Sequence, residues 1–135
     1  MMMKRFDNYG QVLETAKAEG RLLVDAEIDF FPCTHPIVGS LLVRNWGLPP
    51  LLGQAIRFHH DDDAYDLPEE VLPGAALSLI AVTHVAEYMF FEITGEPANE
   101  VGEALFSRAR QHLGISLDDL DAIRETVSKA LEQHA

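Results

Sequence analysis

Three stretches decide how this chain is read: His35-Pro36-Ile37-Val38-Gly39, Trp46-Gly47-Leu48-Pro49-Pro50 and Ala55-Ile56-Arg57-Phe58-His59-His60. Thr34 suits the N-cap of a helix over 35–46, and Pro36 is tolerated in its first turn. Val38, Leu41, Leu42 and Trp46 form the apolar face of that helix. Gly47 breaks it. Pro49 opens a second helix, 49–60, at a position where the missing amide donor is not needed. The two helices and their short turn hold three of the six histidines. Two of these are adjacent. Imidazole is the commonest metal-binding side chain and titrates near neutral pH.

Working outward, nearly every segment has helical character. Phe6, Tyr9, Val12, Leu13 and Ala16 recur at three- and four-residue steps, which predicts a helix over about 4–18 stopped by Gly20. Residues 22–31 fit a strand or a short helix. Helix is preferred, because nothing else in the chain offers a strand to pair with, and Pro32 ends it. Residues 74–94 form the longest apolar stretch, apolar on nearly all sides, as expected of a central helix. A helix near 99–113 ends at Gly114. Ser116 with Asp119 resembles a capping box, Asp replacing the usual Glu or Gln. The last helix, about 117–133, carries Leu120, Ile123, Val127 and Leu131 on one face. The expected fold is an all-α bundle of about six helices in a single domain over 1–135.

Composition bounds the function. The chain has 135 residues, 47% of them hydrophobic, which excludes general disorder. Lys and Arg total 10 against 22 Asp and Glu, a formal net charge of −12. That balance repels phosphate backbones and anionic lipid, so neither nucleic acid nor a membrane is expected as a partner. No apolar run is read as approaching the roughly 18–20 residues of a membrane span. The start lacks the apolar core of a signal peptide, and the chain reads as cytoplasmic. One cysteine, Cys33, excludes an internal disulfide and a multi-cysteine zinc site.

The histidines differ in promise. Leu52, Ala55, Ile56 and His59 share one stripe, so His59 is expected to point inward and His60 to turn about 100° to the flank. His84 and Glu87, one turn apart, can reach one ion or each other. His35 begins its helix, where backbone donors disfavour an imidazolium, and a neutral ring is what a metal needs. His112 and His134 read as surface residues. Asp61, Asp62, Asp63, Asp66, Glu69 and Glu70 read as a solvated loop; they lack the Gly and terminal Glu of a calcium-binding loop. Cys33 and His35 suggest nucleophilic catalysis only if something orients a base, and no such group is evident. No phosphate loop or nucleophile elbow is present.

Taken together, His35-x-x-x-Gly39, Leu42, Trp46, Leu48-Pro49, Ala55-Ile56 and His59-His60 resemble the second half of an HDOD domain. This is a bacterial signalling module related to the HD phosphohydrolases and the HD-GYP cyclic-di-GMP phosphodiesterases. Ala26-Glu27 and the run Ile80 to Glu87 also fit, and the resemblance covers roughly residues 6–125. The HD relatives have a histidine and an adjacent His-Asp pair before this region. Here the one His-Asp pair is His60-Asp61, which belongs to the later motif. The final HD aspartate is matched by Glu87, and no Gly-Tyr-Pro follows His59-His60.

The resemblance implies an HD-like fold and a regulatory or protein-interaction role without catalysis. It implies a degenerate metal or ligand cleft at His35, His59, His60, His84 and Glu87. No cofactor is required, and a divalent ion is the candidate. The rival it implies is a metal-dependent phosphohydrolase of a nucleotide or cyclic dinucleotide, with His35, His59 and His60 on the metal and Glu87 completing the set. Only the later portion of the module is matched. Open apolar faces are therefore expected on helices 4–18 and 74–94, covered by a second copy or a protein partner.

Overall fold

Tyr9, Val12 and Ala16 are all buried, which makes Tyr9–Glu19 an amphipathic helix, α1. The computed structural model of the protein describes residues 8–95 and 100–134. The start of the expected first helix, Phe6 included, lies outside the described residues. Helix α2, Leu23–Phe30, follows, so the preference for helix over strand in 22–31 holds. Tyr9, Val12, Ala16, Ala26 and Phe31 form one buried cluster, with Leu23 and Val38 packed against it. Tyr9, Val12 and Ala16 of the first apolar stripe are therefore covered, with α2 supplying partners, while Leu13 of the same stripe stays 39% exposed.

Helix α3 spans His35–Asn45 and α4 spans Pro50–Phe58. The turn between them is a Schellman motif, in which the Leu48 N–H donates to Val43 O and the Gly47 N–H to Arg44 O, each at 3.0 Å. Gly47 has φ 70°, a left-handed backbone that side chains resist. The helices return antiparallel in a clear register: His35 meets His60, Gly39 meets Ile56, and Val43 meets Gly53. A Cβ on Gly39 would lie 2.9 Å from Ile56 Cγ2, so glycine permits the close approach. One expectation fails here. Leu41 is 58% exposed and Trp46 64% exposed, so they do not share a buried face with Val38. The hairpin buries α3 against α4 and the first cluster, and its outer side faces solvent.

After α4 the acidic loop is exposed, apart from a one-turn 3₁₀ segment, Ala64–Asp66, whose Ala64 is buried. The Gly74 N–H donates to the Glu69 carboxylate at 3.0 and 3.1 Å, satisfying a first-turn donor of α5, Gly74–Thr94. Ala55, Ala64, Leu72, Ala76 and Ile80 form a second buried cluster.

The chain divides into two compact units, Met1–Ile80 and Ala81–Ala135. The second holds the rest of α5 with α6, Glu103–Leu113, and α7, Leu117–His134. Tyr88 stacks on Phe106 at 4.1 Å, and Arg124 ties α7 to Glu92 at 2.8 Å. The capping box forms as read: the Asp119 N–H donates to Ser116 Oγ at 3.1 Å, and the Ser116 N–H to Asp119 Oδ2 at 2.9 Å. An apolar groove of about 620 Å³ runs along this unit, lined by Val82, Met89, Phe90, Ile115, Val127 and Leu131 among others. The exposed Val82 and Phe90 belong to the second stripe expected to be open.

The fold is all-α, with seven α-helices among the described residues against about six expected, and no strand among them. The membrane expectation also needs correction. By length and composition, Gly74–Thr94 is long and apolar enough to cross a membrane. Its faces differ: Ala76 and Ile80 enter the second cluster, and Val85, Met89 and the ionisable His84 are buried, whereas Leu79, Val82 and Phe90 are exposed.

Candidate functional site

The antiparallel return of α4 along α3 explains why three histidines meet. His35 opens α3, and His59 and His60 lie just past the end of α4, so the register brings them to one end of the hairpin. One ring nitrogen from each lies within 4.8 Å of the others. The ring centres are 5.5 Å apart for His35 and His59, 4.9 Å for His35 and His60, and 3.9 Å for His59 and His60. The expected contrast of an inward His59 and a flanking His60 is not found. The helix ends at Phe58, both residues leave its register, and both are half-buried.

Glu27 stands behind His35. Its side chain is fully buried in α2, yet no donor around it is wasted. The Tyr9 hydroxyl donates to Oε1 at 2.5 Å. The His35 backbone N–H donates to Oε2 at 2.8 Å, and ring Nδ1 lies 2.9 Å from the same oxygen. Thr34 occupies the N-cap position of α3, as expected, but its side chain makes no capping bond; the Glu27 carboxylate takes the first amide instead. A buried carboxylate is tolerable because it accepts from all three.

These bonds assign the tautomers. With Nδ1–H on Glu27, His35 presents Nε2 as a lone pair. His59 donates Nδ1–H to Ile56 O at 2.6 Å, which also leaves Nε2 as its acceptor nitrogen. The His60 Nε2–H then donates to His35 Nε2, 3.0 Å away. His60 opens on a small groove of about 210 Å³ that Arg57 and Asp61 also line.

Glu27 was read in the sequence only as part of the resemblance, not as a site residue. A signal was available: Leu23, Glu27 and Phe31 lie at four-residue steps, so Glu27 is an acid on an apolar stripe. It also answers the search for a group that orients His35. His84 and Glu87 are carried by the second unit, where His84 is buried and Glu87 borders the apolar groove. His112 and His134 are exposed, as read.

The family model for the HDOD domain matches residues 1–62. This supports the resemblance over those residues, a narrower span than the 6–125 expected. It contains Tyr9, Glu27, Gly39 and all three clustered histidines. No curated protein and no solved structure compared with the chain matches it.

Proposed function

We propose that the protein is a regulatory, protein-interaction domain of bacterial signal transduction with no hydrolytic activity of its own. The observation that carries this reading is the use of Glu27. Metal-assisted hydrolysis needs an anchored ion, an activated water and a proton acceptor in reach. In the His35–His59–His60 cluster, the carboxylate behind His35 is buried and already engaged by three donors.

The interaction surface in this reading is the groove of the second unit. Its proposed occupant is an amphipathic helix of a partner protein with basic flanks. The lining is apolar, and acid outnumbers base in the chain 22 to 10, which favours a basic partner over a second copy. Anisotropy of a labelled basic amphipathic helical peptide should rise with added protein, and the Phe90→Glu variant should bind at least tenfold more weakly. Equal binding by that variant, or a concentration-dependent dimer in light scattering that blocks the peptide, rejects this occupant.

The rival is a metal-dependent phosphohydrolase, favoured by the clustering of His35, His59 and His60. Assays with nucleotides and cyclic dinucleotides, in manganese, iron or magnesium, should show no turnover above background. Turnover abolished by His59→Ala establishes the rival and removes the regulatory reading.

A further inference from the structure

We infer that the outer side of the α3–α4 hairpin is a docking surface for a short amphipathic segment of a partner protein, one that carries Asp or Glu beside large apolar side chains. A groove of about 410 Å³ lies there, lined by Leu41, Arg44, Leu48, Pro49, Pro50 and Arg57 among others. Ligand pockets typically span about 300–1,000 Å³, room for a few side chains, so a short segment fits better than a broad protein face. Leu41 and Leu48 are exposed, and so is Trp46, which caps α3. The close approach at Gly39 and the Schellman turn hold both walls in place, so little ordering is left for binding to impose.

Charge selects the partner. Arg21 and Arg124 each hold two carboxylates, whereas among the described residues Arg44 and Arg57 hold none. The Arg57 guanidinium lies 5.6 Å from the Phe58 ring centroid, a contact that positions it and leaves its N–H donors for an acceptor. No acidic residue lines the groove, in a chain with 22 acids against 10 bases. Asp61 lines instead the smaller groove that shares Arg57. Physiological salt screens exposed charge beyond about 8 Å, so the two arginines weigh more here than the net charge of the chain. Guanidinium groups pair with carboxylates through two parallel hydrogen bonds, which fixes orientation as well as sign.

A second copy of the chain is a poorer occupant. Its acidic run, Asp61 to Glu70, brings charge without apolar anchors: Ala64 is buried, and Leu67 packs on the second cluster. The Glu69 carboxylate already accepts the Gly74 N–H. A partner segment with apolar side chains at three- or four-residue steps and acids beside them supplies both needs. Its apolar side chains meet Leu41, Leu48 and the prolines, and its carboxylates meet Arg44 and Arg57. Trp and Arg most often dominate binding at protein interfaces, and this surface offers both. The groove belongs to the first unit, whereas the one assigned to a basic helix belongs to the second. The chain thus carries two surfaces of opposite charge preference.

The test uses the full chain and a labelled peptide with leucines at three- and four-residue steps and glutamates between them, followed by fluorescence anisotropy. Wild type should bind it, and a peptide with serines in place of the leucines should bind at least tenfold more weakly. Arg44→Glu and Arg57→Glu should each weaken binding of the leucine peptide at least tenfold. Leu41→Ser should weaken it as well. All three positions are exposed, and circular dichroism checks that the variants fold. Arg44→Gln and Arg57→Gln, which remove charge without reversing it, should fall between. Lys17→Glu, the same change of charge on exposed α1 surface, should leave binding unchanged, as should Phe90→Glu. No binding by the wild type overturns the inference, as does equal binding by the Arg44→Glu, Arg57→Glu double variant. A dimer in light scattering that dissociates on Arg44→Glu overturns it in favour of a second copy. The inference goes beyond the regulatory reading and fails separately from it. Loss of the basic peptide alone sinks the second-unit groove, catalytic turnover sinks the regulatory reading, and loss of the acidic peptide alone sinks this surface.

Discussion

His35 and Glu27 are joined twice through a single oxygen: backbone N–H and ring Nδ1 of His35 both engage Glu27 Oε2, at 2.8 and 2.9 Å. One carboxylate thus closes the N-terminus of α3 and sets the tautomer of the histidine that begins it. Fold and site share this residue, so damage to Glu27 reaches both.

Glu27→Ala should destabilise the protein by about 3 kcal/mol, since it removes a buried acceptor and strands three donors. Glu27→Gln should cost less, because an amide keeps one acceptor oxygen. Urea denaturation of the three proteins measures the order. A Glu27→Ala protein as stable as wild type would mean that water replaces the carboxylate.

Tyr9→Phe isolates the hydroxyl. The ring stacks on Phe31 with centroids 6.0 Å apart, and that packing survives the change. What is lost is the 2.5 Å bond to Glu27 Oε1. A cost of about 2 kcal/mol is expected for a hydrogen bond to a buried charged group. In a double-mutant cycle with Glu27→Gln, the two changes should fall short of additivity by about 1 kcal/mol. Strict additivity would show that the hydroxyl acts elsewhere.

Gly39→Ala sets two effects against each other. Alanine gains about 1 kcal/mol of helix propensity over glycine. Its Cβ would lie 2.9 Å from Ile56 Cγ2, a branch on the β-carbon that cannot swing away freely. Overpacking of this kind costs roughly 1–3 kcal/mol. The net expectation is destabilisation of about 1 kcal/mol, and more for Gly39→Val. Thermal melts decide it, and Gly39→Ala should be relieved in an Ile56→Ala background. Gly39→Ala more stable than wild type would show that the α3–α4 spacing is set by something other than Gly39.

These residues also show what the sequence made legible. Helix existence followed from local spacing: Tyr9, Val12 and Ala16 are buried as their steps imply, and Gly20, Gly47 and Gly114 stop helices where they stand. The clustering of His35 with His59 and His60 was legible because a short turn forces antiparallel return. Trp46 and Leu41 misled because apolar spacing names a face without naming what covers it. Glu27 was missed as a site residue because its place between Leu23 and Phe31 marks an acid on an apolar stripe without naming its partners, which lie eight and eighteen residues away.

The last prediction concerns Ser116 and Asp119. The Ser116 hydroxyl, first, and its backbone N–H both donate to the Asp119 carboxylate and hold its pKa below the ordinary aspartate value. A carboxyl depressed in the folded state contributes stability above its unfolded pKa, near 3.9, and that contribution is lost as pH falls through the lower folded value. Ser116→Ala removes the hydroxyl that caps the Asp119 amide and should cost about 1 kcal/mol near neutrality. Because part of that cost is the lost support of an ionised Asp119, the difference between wild type and Ser116→Ala should shrink in acid. Far-UV circular dichroism melts of both proteins, from about pH 7 down to about pH 2, measure it. A difference that stays constant or widens below the aspartate range would show that the Ser116 hydroxyl caps α7 without help from the charge on Asp119.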